Sequence, residues 1–197
     1  MPEPLRRIDG VAAPLPTPNI DTDVIMPKRF LRTITREGLA DGVCADRRFR
    51  PDGSPDPAFI LNRAPWDRAC ILVVGDNFGC GSSREHAVWG LVQLGIRALI
   101  GTSFAGIFFD NCRRNGLAAI TIAAAPRDRL LHRCASAETS ALAIDLVDQV
   151  IRDSAAETCF TLPEAIRADL LAGRDAIATT LEHAKEIRRF EKAYHAR

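Results

Sequence analysis

Between Cys70 and Ala135 the chain alternates strand-length apolar runs with helix-length stretches that end on glycine, and this alternation limits the fold more than any other feature. Cys70–Val74 is a continuous apolar run ended by Gly75, the pattern of a strand buried on both faces. Ser83–Leu94 reads as a helix, with Ala87, Leu91 and Leu94 on one face and Gly95 as its stop. Ala98–Ile100 is a second strand, Phe104–Asn115 a helix closed by Gly116, Leu117–Ala123 a third strand, and Arg127–Ala135 a helix after Pro126. The order β-α-β-α-β-α implies an α/β layer whose sheet is at least partly parallel, because helical crossovers return the chain to the start of each new strand.

The flanks are less regular. Residues 1–65 are rich in proline and 50–57 (RPDGSPDP) is a turn cluster, so loops and short strands are expected there, with Phe30–Leu39 a short helix ending near Gly42. Beyond residue 140, Leu142–Ile151 and Thr158–Leu162 are β-like. Pro163 sits where the first turn of a helix tolerates it, Glu164–Ala172 is expected to be helical to Gly173, and Asp175–His195 to form a last, partly exposed helix. At 197 residues the chain fits one domain, with an irregular segment over about 1–65 and a helical tail over about 163–197.

Charge narrows the partners. With 26 Lys+Arg against 25 Asp+Glu and no block of like charge, no nucleic-acid partner is expected. No apolar stretch reaches the roughly 20 residues of a membrane span. Pro and Asp interrupt the opening MPEPLRRIDGVAAPL, where a signal peptide needs an apolar core. A cytoplasmic chain without a membrane partner is therefore expected. Cys44, Cys70, Cys80, Cys112, Cys134 and Cys159 are dispersed without a C-x-x-C pair, and His86, His132, His183 and His195 form no H-x-x-x-H. A metal site built by this chain alone is not expected.

The sharpest local feature is Gly75-Asp-Asn-Phe-Gly-Cys-Gly-Ser-Ser-Arg-Glu-His86, where a buried strand ends, glycines follow and a helix opens. Glycines allow close backbone approach to a ligand, and the unpaired N–H groups of a helix start favour an anion. Arg84 adds a fork that can grip a carboxylate with two parallel bonds. A Walker loop is excluded, since no lysine lies between Lys28 and Lys185, and the dinucleotide fingerprint meets Arg84 where its third glycine belongs. Ser82-Ser-Arg-Glu85 also spells a capping box, which by itself accounts for Ser82 and Glu85.

Two further segments stand out. In Asn19-Ile-Asp-Thr-Asp-Val-Ile-Met-Pro27, the carboxylates beside Thr22 either form an Asx-turn pair, or Asp23 pairs with a catalytic base or orients an arginine. In Ser103-Phe-Ala-Gly-Ile-Phe-Phe-Asp-Asn111, Ser103 is a candidate N-cap and the phenylalanines are candidate core.

Taken together, the motifs N-x-D-T-D-x-I-x-P, G-x-N-F-G-C-G-S-S-R-E-H-A and S-F-A-x-I-F-x-x-N resemble, in that order, the small subunits of 3-isopropylmalate dehydratase in the aconitase superfamily. The resemblance runs from about Pro18 to the tail, where Gly173–Leu181 also fits. It implies an α/β fold of the aconitase-type swivelling β/β/α kind. It also implies a hydro-lyase interconverting 2- and 3-isopropylmalate in leucine biosynthesis, active only with a large subunit. That subunit would carry a [4Fe–4S] cluster, with no cofactor on this chain, and a small di- or tricarboxylate would bind between the two. By matching position, Ser82 would be the catalytic base, its alkoxide stabilised by backbone N–H groups and Arg84. Arg84 would bind a substrate carboxylate, Asp23 would orient catalytic groups, and Ser83, Gly81 and Thr22 would belong to the same anion cradle. Lys28, Arg29, Phe30 and Leu31 would open the loop that meets the substrate's variable substituent, with Phe30 and Leu31 as an apolar wall. Common bacterial members carry glutamine at the position of Arg29 and a tryptophan near Ala45–Arg47. These departures leave two alternatives open: a paralogue acting on another alkylmalate or a citrate homologue, and a non-catalytic carboxylate-binding module.

Overall fold

The computed structural model describes residues 2–195 apart from 33, 34 and 36. Seven strands form one sheet: β1 (Arg7–Leu15), β2 (Ile71–Val74), β3 (Ala98–Gly101), β4 (Ala118–Thr121), β5 (Ala141–Asp145), β6 (Val150–Arg152) and β7 (Glu157–Cys159), in the order β4-β3-β2-β1-β5-β6-β7. The pairs from β4 to β1 are parallel, and those from β1 to β7 are antiparallel. The helices are two single turns, α1 (Thr22–Ile25) and α2 (Ala45–Arg48), then α3 (Glu85–Gln93), α4 (Gly106–Arg114), α5 (Ala124–Cys134), α6 (Glu164–Ala172), α7 (Ala176–Glu182) and α8 (Ala184–His195). No helix among the described residues is long and apolar enough to cross a membrane.

Strand alternation builds two cores, one on each face of the sheet. Leu72, Val74 and Leu99 point into the first, closed by Val88 and Leu91 of α3, Phe108 and Cys112 of α4, and the loop residues Leu39, Val43, Leu61 and Trp66. Ile71, Val73, Ala98 and Ile100 point into the second, covered by Leu130 and Cys134 of α5 and Leu170 of α6. Burial on both sides explains why β2 and β3 carry no polar residue.

The regular middle follows the sequence reading, and the corrections fall at the edges. β1 is the longest strand and the centre of the sheet, in a segment expected to hold only loops and short strands. It pairs with β5 through Val11 and with β2 from Ala12 onward. The N–H of Ala12 still reaches the Ser140 carbonyl on the β5 side, at 2.8 Å. Two residues on, the missing N–H of Pro14 faces the vacated edge, so the proline breaks no ladder.

The expected Phe30–Leu39 helix is absent. Lys28–Arg32 and Leu39–Gly42 are separate 3-10 turns, and positions 33, 34 and 36 lie outside the described residues. Leu142–Ile151 resolves into β5, a turn and the start of β6. The last helix breaks at His183 into α7 and α8, and Asp175 caps α7 by accepting from the Ala178 N–H at 2.7 Å. Pro126 lies inside the first turn of α5, where no backbone N–H needs an intrahelical partner.

Candidate active site

The glycine-rich turn leaves the C-terminal end of β2, the edge at which open parallel sheets bind ligands. It runs between the other two motif segments and is stitched to both by backbone hydrogen bonds. On one side Asn19 N–H donates to the Asp76 carbonyl (2.8 Å), Gly79 N–H to Ile20 (2.8 Å) and Thr22 N–H to Cys80 (2.8 Å). On the other, Phe78 N–H donates to the Ser103 carbonyl (3.3 Å) and Ala105 N–H to Phe78 (3.1 Å). Two glycines are required by the path itself: Gly79 has φ +78° with the Phe108 ring packed where a Cβ would be, and Gly81 has φ +87°.

These ties overturn the capping box. Helix α3 begins at Glu85, its N-cap is Arg84 in extended backbone, and no side chain caps it. Residues 80–84 cannot turn helical earlier because Cys80 is bridged to Asp21, and the Thr22 hydroxyl donates to the Ser82 carbonyl at 2.6 Å. Glu85 instead accepts from the Asn115 side chain at 2.8 Å. Ser103 is not an N-cap either: α4 starts at Gly106 after Ala105, and the Ser103 hydroxyl accepts the Asn77 N–H at 2.9 Å. Of the phenylalanines, Phe108 is fully core, while Phe104 and Phe109 pack at the margin of the first core.

Thr22, Gly81, Ser82, Ser83 and Arg84 line one side of a niche of ≈ 120 Å³, and the first turn of α4, with Gly106 and Ile107, forms the other. Ser82 and Ser83 are exposed, and among the described residues their hydroxyls make no hydrogen bond. Arg84 is the opposite, with a side chain only 10% exposed, ion-paired to Asp23 and 3.5 Å from the Met26 carbonyl. Asp21, not Asp23, makes the local turn by accepting the Val24 N–H at 2.7 Å. Asp23 is thereby free to hold the arginine, one of the alternatives left open by the sequence. The turn is anchored from behind by Asp76, bonded to the Thr102 hydroxyl and 3.0 Å from buried Arg127, which also donates to the Val74 carbonyl at 3.1 Å. The Thr102 hydrogen bond, helped by the Arg127 charge, holds the Asp76 carboxyl below its usual range. Sequence reasoning missed this anchor. Asp76 sat inside the quoted motif, but Arg127 and Thr102 carry no pattern that announces the contact.

Lys28, Arg29, Phe30 and Leu31 do not line the niche. Arg29 donates to Asp46 at 2.5 Å and lies over the Phe30 ring, 4.9 Å from its centroid. Phe30 packs against Gly42, and Phe30 and Leu31 both lean on the first core. Arg29, Phe30 and Asp46 border a separate cleft of ≈ 570 Å³, and another of ≈ 440 Å³ lies between Leu5, Arg97, Asn115 and Ile177. Both are larger than the niche, but neither gathers a nucleophile beside an oriented cation.

Among the described residues no three His, Cys, Asp or Glu side chains gather where a metal ion could sit. Burial pushes the Cys44 thiol up to about 11 and the Cys134 thiol to about 12, and raises Cys112 well above its ordinary value. Burial thus disfavours the thiolate form of these three cysteines, and thiolate is the form that ligates an iron–sulfur cluster.

Residues 3–125 match the aconitase C-terminal domain family. Over 193 residues the chain is 53% identical to the 3-isopropylmalate dehydratase small subunit 2 of Salmonella typhimurium, covering 98% of this chain and 92% of that one. The chain belongs to the 3-isopropylmalate dehydratase small-subunit family. A further member, from Agrobacterium fabrum, is 47% identical over 97% of this chain and 96% of its own. The crystal structure of 3-isopropylmalate dehydratase from Methanocaldococcus jannaschii superposes with a TM-score of 0.69 at 28% identity, covering 94% of this chain and 99% of that one. Family membership and the mixed sheet together bear out the aconitase-type α/β fold expected from the motifs.

Proposed function

We propose that this chain is the small subunit of a cytoplasmic hydro-lyase that interconverts 2- and 3-isopropylmalate in leucine biosynthesis, working as one swivelling domain against a large subunit. The observation that carries the reading is the exposed, unbonded Ser82 hydroxyl beside a buried arginine that Asp23 holds in place. Ser82, as the alkoxide, takes a proton from the carbon next to the one bearing the hydroxyl. The C–H electron pair becomes the new π bond and the C–O bond breaks, the departing hydroxide taking a second proton from an acid that the large subunit would supply, so that it leaves as water. Hydration of the alkene with the opposite orientation gives the 3-isomer, and Ser82 returns the proton. Arg84 supports the alkoxide and grips a substrate carboxylate. Asp23 fixes the guanidinium so that it does not have to reorganise during the step.

A niche of ≈ 120 Å³ is well below the roughly 300–1,000 Å³ of a complete small-molecule site. That supports a site completed by a second chain, and the reading assigns the [4Fe–4S] cluster to that large subunit. Arg29, spent on Asp46, offers no cation for a third carboxylate, which favours an alkylmalate over a citrate homologue. The test is to co-express both subunits and compare wild type with Ser82→Ala on 2-isopropylmalate. A fall in kcat of at least about a hundredfold, the scale of general base catalysis, is expected with little change in melting, because Ser82 caps no helix. Normal turnover by Ser82→Ala overturns the assignment.

A further inference from the structure

Glu85 is the first residue of α3, one Cα spacing of about 3.8 Å from Arg84, yet it lines no part of the niche. An acidic side chain at that position is drawn to the start of its own helix, where N–H groups without intrahelical partners form the positive end of the dipole. The Glu85 carboxylate is held elsewhere. It accepts a hydrogen bond from Asn115 Nδ2 at 2.8 Å, beside the ≈ 440 Å³ cleft that both residues line. Asn115 stands at the C-terminal end of α4 and is only 9% exposed. Two further bonds fix its side chain: Nδ2 donates to the Asn111 carbonyl at 2.9 Å, and Oδ1 accepts the Trp89 indole N–H at 2.9 Å. Both donors of the amide and its acceptor are in use, which leaves the group one orientation. Glu85 and Trp89 lie about one turn apart on α3, so this single asparagine sets both side chains.

We propose that Asn115 is a positioning residue for substrate binding: it holds the Glu85 carboxylate away from Arg84 and the start of α3, so that the substrate's carboxylate meets no internal rival. The inference rests on the reading of the niche as a site for an alkylmalate. Released from Asn115, Glu85 can swing back over the turn that precedes it, along the path that the capping pattern Ser82–Glu85 invites. There its negative charge would stand beside the cation that grips the substrate. Arg84 already gives one N–H group to Asp23 and lies 3.5 Å from the Met26 carbonyl, so a second internal carboxylate would take donors left for the ligand. The effect falls on binding and not on proton transfer, because Ser82 is untouched.

The experiment assays the two-subunit enzyme on 2-isopropylmalate and follows melting on the same samples. Asn115→Ala should raise KM about tenfold, the scale of one hydrogen bond to a charged group, with kcat changed less than about threefold. Adding Glu85→Gln removes the rival charge, and should return KM to within about threefold of wild type while melting stays as low as in Asn115→Ala. Asn115→Asp is the second probe should the alanine variant fail to fold. It keeps the size and the bond from Trp89 but turns a carboxylate on Glu85, so it should raise KM and be corrected by Glu85→Gln in the same way. An unmoved KM in the Asn115 variants, or a raised KM that Glu85→Gln does not lower, would make Asn115 a purely structural residue and overturn the inference. A wild-type enzyme that does not convert 2-isopropylmalate would instead defeat the proposed function, and the role of Asn115 with it.

Discussion

Gly79→Ala tests the packing of the site more directly than any catalytic variant. The backbone there has φ +78°, so an alanine pays about 1–2 kcal/mol for the left-handed conformation. The added Cβ would lie 2.2 Å from Phe108 Cγ and 2.5 and 2.7 Å from its two Cδ atoms. A buried ring cannot absorb that overlap without moving, and overpacking of this kind costs about 1–3 kcal/mol. The sum is about 2–5 kcal/mol, measured by urea denaturation as a lower midpoint at unchanged slope. Phe108→Ala removes the ring atoms that the methyl meets. The double variant should therefore be less destabilised than the two single costs added, by about 1–2 kcal/mol, with the backbone cost remaining. Gly79→Ala within about 0.5 kcal/mol of wild type, or strictly additive costs in the cycle, would refute the contact as described.

Arg84→Lys keeps the charge beside Asp23 but cannot make two parallel bonds to a carboxylate. It should lower kcat/KM about 10–100-fold, the worth of one hydrogen bond to a charged group, with melting almost unchanged. The side chain of Asp153 has no exposed surface, is ion-paired to Arg129 and to Arg133 at 3.3 Å, and accepts the N–H groups of Ala155 and Ala156 at 2.7 and 3.1 Å. Burial opposes its charge, but the Ala155 amide and Arg129 outweigh it and hold the carboxyl below its usual range. A depressed folded-state value means the stabilisation is complete above the unfolded value of about 3.9 and is lost as pH falls through the folded one. Asp153→Asn should cost about 2 kcal/mol near neutral pH, and the gap from wild type should narrow in denaturation curves taken progressively below about pH 4.

The parts of the fold that could be read in advance are those where side-chain period dictates structure. β2, β3 and the faces of α3 and α4 are of this kind, because burial on both sides of the sheet leaves continuous apolar runs. β1 could not be read that way. Gly10, Ala12, Ala13 and Pro14 look like loop residues, yet the alanines fit a crowded sheet centre and the proline falls where β1 has one neighbour. The site was legible as three motifs, not as one place. Their convergence depends on main-chain bonds between residues such as Ile20 and Gly79, or Phe78 and Ala105, which leave no mark on side-chain pattern. Helix starts near Ser82 and Ser103 were misread for a related reason, since the segments that carry these serines are tied into loop contacts before the helices begin.

Those main-chain bonds tie the three loops into a small lattice, with the parallel bridges Asp21↔Cys80 and Phe78↔Phe104 continuing the sheet's own pairing past the ends of its strands. The loops therefore behave less like appendages than like a last, irregular row of the sheet, able to loosen only together. Such a frame confines change. An insertion in a flanking segment would shift Asp23 or the first turn of α4 relative to Ser82 and Arg84, whereas an exposed side chain that bonds to no rung, such as that of Ser83, can be exchanged without disturbing the frame. Such a frame tolerates exchange of its exposed side chains far better than any change in the length of its loops.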